Sequence, residues 1–196
     1  MSSLPVLLVH GIWDSAASIA PLARGLATRG FERVTSFDLK PSDGSATIPE
    51  LAEQVRAQVD ALLARHGCDQ IDLVGFSMGA LTSRYYLQRC GGKAHVRRFV
   101  SISGPHAGTW TAYALPLAGI RQMRPGSALL VDLDSDDNPW GSVQVHCMYT
   151  RFDLTILPAR SSLLRGAHRT HELTVPIHRM MMSDPGVLDL VAEALR

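Results

Sequence analysis

Three residue types that together make a poor nucleophile into a good one occur in this chain in a telling order: Ser77, then Asp153, then His178. Ser77 sits in GFSMG, between Gly75 and Gly79. An apolar run from Ile71 to Gly75, broken only by Asp72, precedes it, and the helix-compatible ALTSRYYLQRC follows, stopped by Gly91 and Gly92. Strand, sharp turn and helix in that order force the central serine into a crowded backbone conformation, so residues without side chains are needed on either side. The turn lifts the Ser77 hydroxyl above the sheet edge. The unpaired N–H groups of the following helix then face any oxygen above it. A serine hydroxyl attacks only when an imidazole takes its proton, and that imidazole must be held in one tautomer by an acceptor on its other nitrogen. Asp153 is expected to be the acceptor and His178 the base, each just beyond the end of a strand.

Those positions depend on the elements between them. The first strand is Leu4 to Val9, a continuous apolar run suited to a parallel sheet buried on both faces. It ends in His10-Gly11-Ile12-Trp13, where a glycine turn lets the Ile12 amide aim at the same point as the Met78 amide, and two such N–H groups make an oxyanion hole. Ser18 to Arg29 reads as a helix, Val34 to Phe37 as a second strand, and Thr47-Ile48-Pro49-Glu50 as a capping box opening a helix to about His66. After the strand that leads to Ser77 come a fourth strand over Val96 to Ile102, a short helix over Gly126 to Leu133 and a fifth strand over Val143 to Tyr149. A short sixth strand over Leu173 to Ile177 and an amphipathic helix over Pro185 to Leu195 complete the chain. Alternating strands and helices predict an α/β fold, a mostly parallel sheet of about six strands with helices on both faces, whose site lies at the carboxyl ends of the strands. This makes His178, beyond the sixth strand, the base in preference to His171 at its start and His168 before it.

With 196 residues, 46% of them hydrophobic, and a net charge of +1, one domain spanning 1–196 is expected, with no electrostatic case for nucleic acid or an anionic membrane. The apolar start lacks a basic n-region and is too short for a signal peptide or a spanning helix. Cys68, Cys90 and Cys147 are scattered and odd in number, which fits free thiols and a cytoplasmic setting. The acidic stretch Asp132, Asp134, Asp136 and Asp137 lacks the glycine and the final carboxylate of a calcium loop and reads as solvated. The eight histidines show no metal-binding spacing, so neither metal nor cofactor is expected.

The segments VLLVHGIWD, LVGFSMGALTSRYYL, SISGPHAGT, MRPGSALLVDL and YTRFDLTILP resemble those of compact bacterial lipases and esterases of the α/β-hydrolase superfamily, the class-2 or Bacillus lipase A type. The resemblance implies a minimal hydrolase fold with no large cap domain. It implies ester hydrolysis with Ser77, Asp153 and His178 as the triad and the Ile12 and Met78 amides as oxyanion donors. The chain departs from the commoner elbow in having Phe76 where histidine is usual and Ala80 where a second glycine is common. The longest insertion, Trp110 to Leu133, either lines a pocket or belongs to the core; its shortness leaves little for a mobile lid and points to small or medium acyl esters. Trp13 either flanks the site or packs. Acyl transfer and thioester hydrolysis run on the same groups, and a non-catalytic binding module on this fold is the remaining reading.

Overall fold

The computed structural model describes residues 4–196. Its centre is a six-stranded sheet in the order β2-β1-β3-β4-β5-β6, parallel at every pairing. The strands are β1 (Val6–Val9), β2 (Val34–Ser36), β3 (Ile71–Phe76), β4 (Val96–Ile102), β5 (Gln144–Thr150) and β6 (Arg169–Leu173). Successive side chains of a strand point to opposite faces, and here both faces are apolar. Leu7, Val9, Leu73, Phe99, Val145 and Cys147 face one core, and Val6, Leu8, Val74, Val100, Ile102 and Met148 face the other.

The first core is covered by α2 (Ile48–His66), α3 (Met78–Arg89) and α5 (Ala128–Asp134), the second by α1 (Ala20–Ala27) and α6 (Pro185–Ala194). Helix α2 begins at the expected capping box: Thr47 Oγ1 accepts from the Glu50 N–H, and Glu50 Oε2 accepts from the Thr47 N–H at 2.8 Å. It stops at Gly67 in the left-handed conformation, φ 59°. No helix among the described residues is long and apolar enough to cross a membrane.

Two expectations need correction. The sixth strand is Arg169–Leu173, not Leu173 to Ile177. It is an edge strand with mostly exposed or half-buried side chains, so it lacks the apolar run that marks a central strand, and Pro176 removes a donor from the segment that has one. His171 therefore lies inside β6, with His168 just before it. The acidic stretch is not simply solvated either. Arg89 holds Asp132 at 2.8 Å, Arg84 holds Asp134 at 2.7 Å and Lys93 holds Asp136 at 3.1 Å, so these acids fasten α5 to α3 and the turn after it.

Candidate active site

Ser77 joins β3 to α3 with φ 55° and ψ −126°, a strained conformation for a residue with a side chain. The crossing is tight: a Cβ on Gly75 would lie 2.6 Å from the Ala80 Cα, and one on Gly79 would lie 2.3 Å from the His10 carbonyl oxygen. Neither obstacle is a flexible side chain, so both glycines are required by close approach. The Ser77 N–H donates to the Ile102 carbonyl at 2.9 Å, which ties the turn to the end of β4.

The loop after β1 lies against the same turn. A Cβ on Gly11 would sit 2.9 Å from the Ser77 Cβ and 3.4 Å from its Oγ. His10 is fully buried and fixes this loop: its Nε2 accepts from the Leu39 N–H at 2.9 Å, so Nδ1 carries the proton and donates to the Gly11 carbonyl at 2.8 Å. Neither the Ile12 nor the Met78 N–H has a protein acceptor among the described residues. Met78 opens α3, where the first N–H groups have no intrahelical partner.

Asp153 follows β5 and is 2% exposed. Its Oδ1 accepts from the Thr155 and Ile156 N–H groups, each at 2.9 Å, and its Oδ2 accepts from His178 Nδ1 at 2.7 Å. Burial pushes this carboxyl up, but the His178 contact and the two amides outweigh it and hold it below the usual carboxylate value. His178 opens a short 3-10 turn, His178–Met182, and its other ring nitrogen, Nε2, is buried with no partner among the described residues. One imidazole nitrogen is thus fixed by a carboxylate while the other is free to accept a proton. The expected acid and base are brought together, whereas His168 and His171 are not with them. Those two line a separate hollow of about 340 Å³ with His146, Arg98 and Arg169.

Beside Ser77 opens a cavity of about 250 Å³, lined by Ile12, Trp13, Leu115, Ile120, Met123 and Ile156 among others. The insertion therefore forms the pocket wall, through α4 (Ala118–Gln122) and the turn before it, and Trp13, 63% exposed, flanks the mouth. The wall is fastened to the body: Thr109 N–H donates to Met123 O at 2.8 Å, Gly119 N–H to Gly44 O at 2.9 Å and Trp110 N–H to Leu157 O at 2.9 Å. Sequence reasoning missed two residues of the site. Asp14 is buried beneath the Gly11 turn and pairs with Arg179, and no local spacing signals either.

Residues 5–152 match the family described as Palmitoyl protein thioesterase. Among solved structures, Aspergillus fumigatus lipase B superposes with a TM-score of 0.86 over 98% of this chain at 18% identity. This chain spans only about half of that one, 52%. The mature form of Bacillus licheniformis lipase BlEst2 gives 0.83 at 14% identity, covering 99% of this chain and 92% of that one. The lin2722 gene product of Listeria innocua gives 0.76 at 17% identity, covering 99% and 94%. At these identities the likeness to the solved structures is one of fold.

Proposed function

The chain belongs to the Palmitoyl protein thioesterase family, and from that membership and the site geometry we propose that it is a serine hydrolase of small to medium acyl esters, working through an acyl-enzyme. The observation that carries the reading is His178, bonded through Nδ1 to the buried Asp153 at 2.7 Å with Nε2 left unpartnered. His106 also keeps one ring nitrogen unpartnered among the described residues, but its other nitrogen meets the Ser101 hydroxyl, whereas that of His178 meets a buried carboxylate that can stabilise an imidazolium.

Ser77 Oγ attacks the acyl carbonyl carbon while His178 Nε2 takes its proton. The carbonyl oxygen becomes an oxyanion held by the Ile12 and Met78 N–H groups, at the amino end of α3. Collapse breaks the bond to the leaving group, which departs with the proton from His178. Water then attacks the acyl-Ser77 ester, giving a proton to His178; collapse breaks the bond to Ser77 Oγ, which takes that proton back from His178, and releases the carboxylic acid. Asp153 stays ionised throughout and stabilises the imidazolium.

The cavity is smaller than the roughly 300–1,000 Å³ of drug-sized ligand sites, which supports short and medium acyl groups. The family match favours a second reading, thioester hydrolysis on the same groups, since only the leaving atom differs.

A fluorophosphonate probe should label the wild-type protein and not Ser77→Ala. The wild type should also hydrolyse p-nitrophenyl butyrate, and a butyryl thioester run beside it ranks the two substrate classes. Labelling that persists in Ser77→Ala, or none in the wild type, would overturn the serine reading.

A further inference from the structure

Asp14 brings a buried carboxylate against the Gly11 turn that borders Ser77. Its side chain is 5% exposed, and its Oδ2 lies 3.3 Å from the point where a Gly11 Cβ would stand, the same point that lies 3.4 Å from Ser77 Oγ. A buried carboxylate is costly unless paired, and beside a carbonyl oxygen that becomes negative it opposes the reaction. Its partner is Arg179, whose Nη2 lies 3.0 Å from Oδ1. The contact is one of charge: Oδ1 makes no aligned hydrogen bond among the described residues.

The two ends of this pair are held differently. On the Asp14 side, the Trp13 N–H donates to Ser42 O at 2.7 Å and Ser42 Oγ donates to Asp14 O at 3.1 Å, with Trp13 itself at φ 55°. Arg179 is 63% exposed along its side chain and follows His178 directly. The pair thus spans the two segments that must stay in register, one carrying the Ile12 amide and the other the imidazole.

We propose that Arg179 is a positioning residue, clamping the His178 segment to the Ile12 loop and cancelling the Asp14 charge beside Ser77. The inference rests on the serine-hydrolase reading. It makes the two residues unequal. Losing Asp14 loses the clamp alone, whereas losing Arg179 loses the clamp and leaves a bare carboxylate behind the Gly11 turn.

The test is a cycle of Arg179→Gln, Asp14→Asn and the double variant on p-nitrophenyl butyrate. Arg179→Gln should lose about tenfold or more in kcat with KM within about twofold, Asp14→Asn about threefold, and the double variant should match Asp14→Asn. The acid limb of kcat/KM should move to higher pH in Arg179→Gln alone, because an uncompensated carboxylate favours the imidazolium, with Asp153 unchanged on the other nitrogen. Arg179→Lys, which keeps the charge, should stay within about threefold of wild type and serves if the Gln variant fails to fold.

A wild-type kcat and pH profile in Arg179→Gln would overturn the proposal. So would a double variant no better than Arg179→Gln, or a tenfold loss in Arg179→Lys. Fluorophosphonate labelling of the same samples separates the two levels. A wild type that does not label removes the serine reading and this inference with it, while a labelled wild type with a flat cycle removes this inference alone.

Discussion

The ring of Phe76 lies 4.8 Å from that of His178, centroid to centroid, with the planes inclined at 41°. Phe76 directly precedes Ser77 and is 1% exposed, so one of the two elbow residues that depart from the commoner pattern packs against His178. His178 is thus held from two sides, by the Asp153 carboxylate at Nδ1 and by an aromatic ring.

Phe76→Leu should therefore lower kcat several-fold with little change in KM, since the imidazole loses a packing surface while the acyl pocket is untouched. As a large-to-small change at a buried position it should also cost about 1–3 kcal/mol of stability. Steady-state kinetics beside a urea titration check both. A variant as active as wild type would show that the Asp153 bond alone orients the ring.

Three histidines near the end of the chain give a sharper comparison. His178→Ala should lose on the order of a thousandfold in kcat, as triad members do, while His168→Ala and His171→Ala should stay within a few-fold of wild type. The latter two lie with His146 in a separate hollow, away from the Asp153 carboxylate. Inactivity of His171→Ala with an active His178→Ala would move the base to β6.

The pocket wall predicts two kinetic properties. Met123 lines the cavity and is 6% exposed, so Met123→Ala should lengthen it and raise kcat/KM several-fold for decanoyl relative to butyryl esters. Because the wall is pinned to the body at Thr109, Gly119 and Trp110, activity should also rise smoothly through a substrate's solubility limit. A jump at the appearance of an oil interface would mean that this wall moves.

His106 predicts the pH dependence of stability. It is 1% exposed, with Nε2 2.7 Å from Ser101 Oγ, and burial first, then the nearby Arg84 charge, holds its imidazole well below the ordinary value. The unfolded chain therefore binds a proton that the folded protein refuses. Stability is fully present above the ordinary imidazole pKa of about 6.5 and is lost as pH falls below it, approaching about 1.4 kcal/mol per pH unit. Urea midpoints at pH 7.5 and 5.5 for wild type and His106→Gln should differ more in the wild type. Equal pH dependence in both would show that other groups set it.

The sequence by itself determined what short-range physics determines. Glycines on either side of Ser77 mark a turn that no other residue fits; Thr47, Pro49, Glu50 and Gly67 mark the two ends of α2; apolar runs such as Leu4 to Val9 and Val96 to Ile102 mark strands buried on both faces. Each is a property of a few consecutive residues. From those strand ends the sequence also placed Asp153 and His178 near each other, although the strand it put before His178 was displaced. Strand β6 was misplaced because an edge strand half open to water has no apolar pattern to read. Tertiary structure alone decided the rest: Phe76 under His178, Asp14 against Arg179, and Asp132, Asp134 and Asp136 tied to α3 and the turn after it. The first two pairs are distant in the chain and meet because the loops after the strands converge at one edge of the sheet, and the acid–base pairs because α5 packs beside α3 over the same face. A charge or a ring carries no mark in sequence of the partner that a fold will bring to it.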